Sequence, residues 1–213
     1  MNYLSHLWNA LDFGSIQSLV LRVISVLICL ILHEICHGVA AYALGDPTAK
    51  MNHRLSLNPL HHIDWLGLAA MLFIGVGWAK PVPVDSRYFK KPKQGMALTA
   101  LAGPVSNFLL ALVLLLVLRF SYRGMLTTFC DFLLDTAMLS VGLGLFNLIP
   151  VSPLDGSKVL AAFLPDRAYR WLMHYEKYGM LLVILLVSVG SVNRLLNRVI
   201  LAIITLFCRM VGV

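Results

Sequence analysis

The chain has 213 residues, of which 59% are hydrophobic and only 13% charged, and its mean hydropathy is +0.82. That balance excludes an ordinary soluble domain and places the chain in a membrane. The formal net charge of +7 follows from the placement of Lys and Arg in loops that face anionic headgroups, so no nucleic-acid partner is expected.

The first apolar run covers residues 16–44 and is interrupted by Arg22 and a His-Glu pair. It is long enough to span, and too long and too late in the chain for a cleaved signal peptide. Residues 65–78 form a shorter run of 14 residues carrying Gly67, Gly75 and Gly77. That length predicts a re-entrant or interfacial element. Residues 96–118 read as a clear span kinked at Gly103-Pro104, and residues 129–149 as another, ended by Pro150 and Pro153. Residues 178–192 and 199–213 are two runs of 15 residues each, joined by a link holding Arg194 and Arg198. They predict two short spans or a less regular hairpin. The four cysteines, Cys29, Cys36, Cys130 and Cys208, have no paired spacing and read as reduced, packed side chains.

Lys and Arg set the orientation. Lys50, Arg54, Lys80, Arg87, Lys90, Lys91 and Lys93 lie between the first two clear spans, and Lys158, Arg167, Arg170 and Lys177 follow residue 149. The other side has only Arg119 and Arg123, with none in the first sixteen residues. With the 65–78 run not crossing, this asymmetry predicts a multi-pass membrane protein, N-terminus outside and both large loops in the cytoplasm. Arg22 snorkels to the outer interface.

Within the first run stands His33-Glu34-Ile35-Cys36-His37-Gly38. Ionisable groups at membrane depth are costly and mark function. On a helix, positions 33 and 37 share one face, so both imidazoles can point at one ion. His-Glu-x-x-His is the zinc metalloprotease spacing, with two nitrogen ligands and the Glu as general base. His37 lies roughly 12 Å from the helix end near Gly45, so water must reach the site through a cavity open to the cytoplasm. A catalytic zinc takes three protein ligands. The candidate for the third is Asp155, in the stretch from Phe146 to Gly156, where Pro150 and Pro153 break the helix and Gly156 permits an unusual backbone conformation. The plainer reading of Asp155 is a cap for a helix starting near Ser157.

The resemblance is carried by several pieces of sequence: the His33–Gly38 motif; Ala102-Gly103-Pro104-Val105-Ser106-Asn107; and Asn147 to Gly156 with its Asn-x-x-Pro-x-x-Pro-Leu-Asp-Gly pattern. Asp46-Pro47-Thr48-Ala49-Lys50, Leu57-Asn58-Pro59-Leu60 with His62-Ile63-Asp64, and Gly77-Trp78-Ala79-Lys80-Pro81-Val82-Pro83-Val84 add to them. Together they resemble the site-2 protease family of intramembrane zinc metalloproteases, in its compact bacterial form without PDZ or CBS domains. His53 departs from the glycine that such relatives often carry before the Arg, which bears on loop conformation.

The resemblance implies one zinc per chain on His33, His37 and Asp155, with Glu34 deprotonating the attacking water. It also implies that Asn107 and Asn147 orient the substrate backbone or stabilise the oxyanion; the alternative for each is an interhelical hydrogen bond. A helical substrate must unwind before hydrolysis, and a strand at membrane depth could receive it by β-addition. Gly75, Val76 and Gly77, leading into residues 81–84, are the candidate for that strand. His53, His61 and His62 read as interfacial or hydrogen-bonded, Asp131 and Asp135 as an interfacial pair or contacts for Arg119 and Arg123, and Lys90, Lys91 and Lys93 as headgroup contacts.

The expected fold is an all-α polytopic membrane protein, a bundle of about five to six transmembrane helices with a short re-entrant or β-hairpin-like element around residues 65–84. It is read as a single membrane-embedded domain over residues 1–213, with a catalytic core at about 16–165 and C-terminal helices at about 168–213. The expected activity is endoproteolysis within or near transmembrane segments, on a membrane-protein or membrane-peptide substrate in the lipid bilayer, with a regulatory membrane partner gating access. A metal transporter using the same His and Asp, or a non-catalytic relative that binds membrane proteins, is the alternative.

Overall fold

The computed structural model of the protein describes residues 16–62, 64–65, 67, 80–121, 127–165, 167–168 and 176–212. Its helices in chain order are α1 (Ile16–Ala43), α2 (Thr48–Met51), α3 (Pro92–Ser121), α4 (Thr127–Asn147), α5 (Asp155–Phe163), α6 (Glu176–Ser188) and α7 (Gly190–Val211). Short 3-10 turns lie at Pro59–His61 and Ser86–Tyr88. The architecture is all-helical, with no strand among the described residues.

Three of these helices, α1, α3 and α4, are long and apolar enough to cross a membrane. At about 1.5 Å per residue, the 28 residues of α1 exceed the roughly 30 Å of hydrocarbon they have to cross. Residues at four-residue spacing share a helix face. On α1 the buried stripe is Ser25, Cys29, His33, His37 and Ala41, whereas Ile16, Val20, Ile24 and Ile28 are exposed. This reverses the pattern of a soluble amphipathic helix, because lipid covers the apolar face. α3 repeats the arrangement, with Gly103, Asn107 and Ala111 inside and Val105, Leu109 and Val113 outside.

α3 packs against α1, α4 and α5, and α7 closes on α4 and α3. Apolar packing concentrates in one part of the bundle, where Ala111, Leu115 and Leu118 of α3 meet Leu133, Ala137 and Val141 of α4 and Ile200 and Ile204 of α7. Between α1, α3 and α4 the seam is built from small polar groups. Ser25 and Thr136 share a hydroxyl hydrogen bond at 2.7 Å, the Cys29 thiol meets the Thr136 carbonyl at 3.8 Å, and Ser140 donates to the Asn107 carbonyl at 2.8 Å. Small residues of this kind let membrane helices approach closely, and their hydroxyls bond where no water competes. All four cysteines are free thiols.

The C-terminal expectation needs correction. Arg194 and Arg198 lie inside the 22-residue α7, and the interruption falls earlier, at Val189, whose backbone is extended. The Asn193 side chain donates across that break to the Val187 carbonyl at 2.7 Å, so the turn is held by side-chain bonding rather than by a charged link. α7 ends at Gly212, whose φ of +77° suits glycine, and the Arg119 guanidinium donates to the Val211 carbonyl there. The 96–118 span likewise extends to Pro92–Ser121 and continues through Pro104. Of the element expected at 65–84, residues 68–79 lie outside the described residues, including Gly75, Val76 and Gly77. Residues 80–85 have no regular secondary structure.

Candidate metal centre and active site

His33 and His37 project from the buried stripe of α1, with ring centroids 4.6 Å apart and planes at 87°. Asp155 reaches them from the first turn of α5, its Oδ2 lying 3.1 Å from Nε2 of each histidine. One ligand atom from each of the three residues lies within 4.8 Å of the others. Zinc bonds of about 2.0–2.1 Å at a tetrahedral angle set ligand atoms roughly 3.4 Å apart, so this donor set fits zinc. His37 Nδ1 donates to the Thr99 carbonyl at 2.7 Å. That bond fixes the proton on Nδ1 and leaves the Nε2 lone pair for a metal, the second partner that metal-binding histidines usually have. Pro104 removes the helical donor from the neighbouring Ala100 carbonyl, which disrupts the ladder of α3 beside Thr99.

Glycine positions decide whether the three ligands can meet. A Cβ on Gly103 would stand 2.5 Å from His37 Cε1 and Nε2 and 2.6 Å from His33 Cε1, so α3 can abut both rings only with no side chain there. Gly156 serves Asp155 in a different way from that expected. Among the described residues, positive φ at glycine occurs at Gly45 and Gly212, not at Gly156. A Cβ on Gly156 would instead strike the Leu148 carbonyl oxygen and lie 2.6 Å from that of Ile149, so the constraint is space. Nor does Asp155 cap a later helix. α5 begins at Asp155 itself with Leu154 at the N-cap, and the carboxylate turns to the histidines. Gly179 of α6 packs against the Ser152 carbonyl and Pro153. This C-terminal helix thereby buttresses the loop leading to Asp155.

Glu34, next to the first histidine, is held by a segment whose motif gave no sign of this contact. The Val82 backbone N–H donates to Glu34 Oε2 at 2.9 Å. Val82 belongs to an extended strap over residues 80–85, and Pro81 and Pro83 leave it the only N–H of that tripeptide. The strap is anchored on both sides. Lys80 N–H donates to the His62 carbonyl at 3.0 Å, the Arg54 guanidinium donates to the Lys80 carbonyl, and Asp85 N–H donates to Asp46 Oδ2 at 2.7 Å. Asp46 is fully buried and also accepts from Thr48 N–H at 2.9 Å, which ties the start of α2 to the strap. Burial lowers the Arg54 pKa from its ordinary value, and the negative charge of Glu34 opposes that shift.

The remaining candidates have mixed placements. Asn107 sits one turn beyond Gly103 and is fully buried; neither its Oδ1 nor its Nδ2 has a partner among the described residues. Asn147 is the last residue of α4 and donates to the Leu143 carbonyl of its own helix at 3.0 Å. Lys158, read from the sequence only as a loop charge, lies with its Nζ 3.8 Å from Asp155 Oδ1. His62 Nε2 bonds the Ser56 carbonyl at 2.7 Å and His61 Nδ1 the His53 carbonyl at 3.3 Å, so both are hydrogen-bonded as expected.

Two histidines and an aspartate set to bind a metal, beside a glutamate and inside a bundle of apolar helices, define a membrane zinc metalloprotease. The chain belongs to peptidase family M50, whose profile matches residues 21–129 and 123–190. It is 39% identical over 178 residues to YwhC of Bacillus subtilis, a zinc metalloprotease by name, across 79% of this chain and 81% of that protein. It is 29% identical over 173 residues to Rip2 of Mycolicibacterium smegmatis, likewise named as a zinc metalloprotease, across 79% of this chain and 66% of that one. The fold is shared with the site-2 protease from Methanocaldococcus jannaschii, with a TM-score of 0.50 and 23% identity over 95% of this chain and 82% of that one.

Proposed function

We propose that the protein is an intramembrane endopeptidase that hydrolyses peptide bonds within or near transmembrane segments of membrane-protein substrates, as in regulated intramembrane proteolysis. The observation that carries this is the position of the His33–His37–Asp155 group on the buried stripe of an apolar helix, with Glu34 adjoining it. His33, His37 and Asp155 would hold zinc, which would supply Lewis acidity toward the scissile carbonyl and acidify water there. Glu34 accepts a proton from the attacking water at its carboxylate and passes it to the amine released as the C–N bond breaks. Val82 N–H fixes the direction of that carboxylate. Asn107 and Asn147 orient the substrate backbone or the developing oxyanion, and Gly75, Val76 and Gly77 pair with the unwound substrate strand.

The Lys and Arg distribution supports a site open to the cytoplasm and an N-terminus outside. The partners in this reading are a membrane-protein or membrane-peptide substrate, the bilayer and a membrane protein that regulates access. The test is zinc content and peptide hydrolysis of detergent-purified wild type, Glu34→Gln and Asp155→Ala. The reading expects about one zinc in wild type and Glu34→Gln, a large loss of zinc in Asp155→Ala, and turnover in wild type alone. Turnover that survives Glu34→Gln would overturn the role of Glu34, and zinc indifferent to Asp155 would overturn the ligand set.

A further inference from the structure

Beyond the metal centre, at the end of α1 that carries His37, a cleft of about 590 Å³ is lined by Tyr42, Lys50, His53, Leu55, Ser56 and His61. We propose that this cleft binds the phosphate of an anionic lipid headgroup. Its lining holds four donors, the Lys50 ammonium, the Tyr42 phenol, the Ser56 hydroxyl and the His53 imidazole, and no carboxylate, which suits a phosphate; the His61 ring spends its Nδ1 proton on the His53 carbonyl. Lys50 Nζ donates to the Tyr42 oxygen at 3.0 Å and lies 4.6 Å from the centre of its ring. The phenol accepts that bond and keeps its own O–H to donate, so the pair presents two donors side by side.

One further observation points to lipid rather than to a dissolved anion, and another concerns a donor in the cleft wall. The segment that forms the cleft exposes Met51, Leu57, Leu60 and Trp65 at 67–77%, a set of large apolar side chains that water would not tolerate together. Tyr42 and Trp65 belong to the residue types that settle at the membrane–water interface, and Tyr42 is next to the last residue of a candidate span. Acyl chains beside the apolar rim would bring a headgroup to the donors. The second observation is His53, whose φ of +53° makes it the sole non-glycine residue with positive φ among the described residues. An L-residue pays for this conformation where glycine would not. His53 N–H bonds the Lys50 carbonyl at 3.0 Å and Arg54 N–H the Ala49 carbonyl at 2.9 Å, so the conformation closes the C-terminus of α2 and sets the imidazole in the cleft wall.

The experiment titrates the purified full chain with dioctanoyl phosphatidylglycerol, dioctanoyl phosphatidylcholine or inorganic phosphate, reading bound ligand by native mass spectrometry and folding by thermal melting. Wild type is expected to retain phosphatidylglycerol in preference to the other two. Lys50→Gln should weaken that binding about fivefold, the effect of one lysine at an anionic lipid surface. His53→Gly should weaken it too while leaving the melting temperature unchanged or raised, which separates lost binding from lost folding. Equal binding by wild type and both variants would overturn the site. Inorganic phosphate bound as tightly as phosphatidylglycerol would overturn the lipid as its occupant. Zinc content and peptide hydrolysis do not enter these readouts, so the site stands or falls apart from the proposed activity.

Discussion

Val82 N–H donates to Glu34 Oε2 at 2.9 Å across 48 positions of sequence, so the proposed general base is aimed by the backbone of a strap rather than by a side chain. Replacing Val82 by Pro removes that donor within a stretch already punctuated by Pro81 and Pro83. A hydrogen bond to a charged group contributes about 1.5–3 kcal/mol, so kcat should fall about tenfold or more. Zinc content should stay near that of wild type. Val82→Ala keeps the N–H and should retain most of kcat. Equal kcat in Val82→Pro and wild type would show that the strap does not aim Glu34.

Gly103 gives a sharper test of the metal centre. In Gly103→Ala the new methyl would press on both imidazoles at 2.5–2.6 Å, and the helix on either side is too well packed to yield freely. Zinc binding is expected to weaken by about tenfold or more, in the range found when groups supporting a metal ligand are lost. Elemental analysis after dialysis against a graded chelator would read this directly, and an unchanged zinc affinity would refute the contact.

Asn107 separates stability from function. Its buried amide has no partner among the described residues, and an unsatisfied polar group costs about 1–3 kcal/mol. Asn107→Leu, which keeps the heavy-atom branching and removes the polar atoms, should raise the melting temperature. If the amide serves the substrate backbone as proposed, hydrolysis should nevertheless fall. A variant that is both more stable and fully active would leave Asn107 without a catalytic role.

Gly179 tests whether the C-terminal helices matter to the site. Gly179→Ala drives a methyl into the Ser152–Pro153 backbone, and overpacking of this kind costs about 1–3 kcal/mol. The displaced loop carries Asp155, so zinc affinity should fall with stability. Loss of stability with zinc affinity intact would confine α6 to a purely packing role.

How legible the site was depended on what kind of atom did the work. His33, Glu34 and His37 could be read directly, because their ligand function resides in side chains with helical spacing. Asp155 could be found from its Pro-rich, Gly-flanked stretch and family resemblance, but not its place at the first position of α5. Val82 and the Thr99 carbonyl could not be found, since they act through backbone groups that every residue possesses. Gly103 and Gly156 were visible as motif letters, yet their reason is clearance from atoms distant in the chain. Arg194 and Arg198 misled because charge was read as a break, whereas a helix at the bundle surface can carry them.

The sequence alone determined the medium and the chemistry. Apolar runs longer than the hydrocarbon thickness require helices in a membrane, and a His-Glu-x-x-His within one of them requires a metal or some equal compensation for its polar groups. Only the tertiary structure decided how the third ligand reaches the histidines, what holds Glu34, and which glycines must be glycines. Those outcomes depend on close approach between segments far apart in the chain, and local spacing carries no information about such distances.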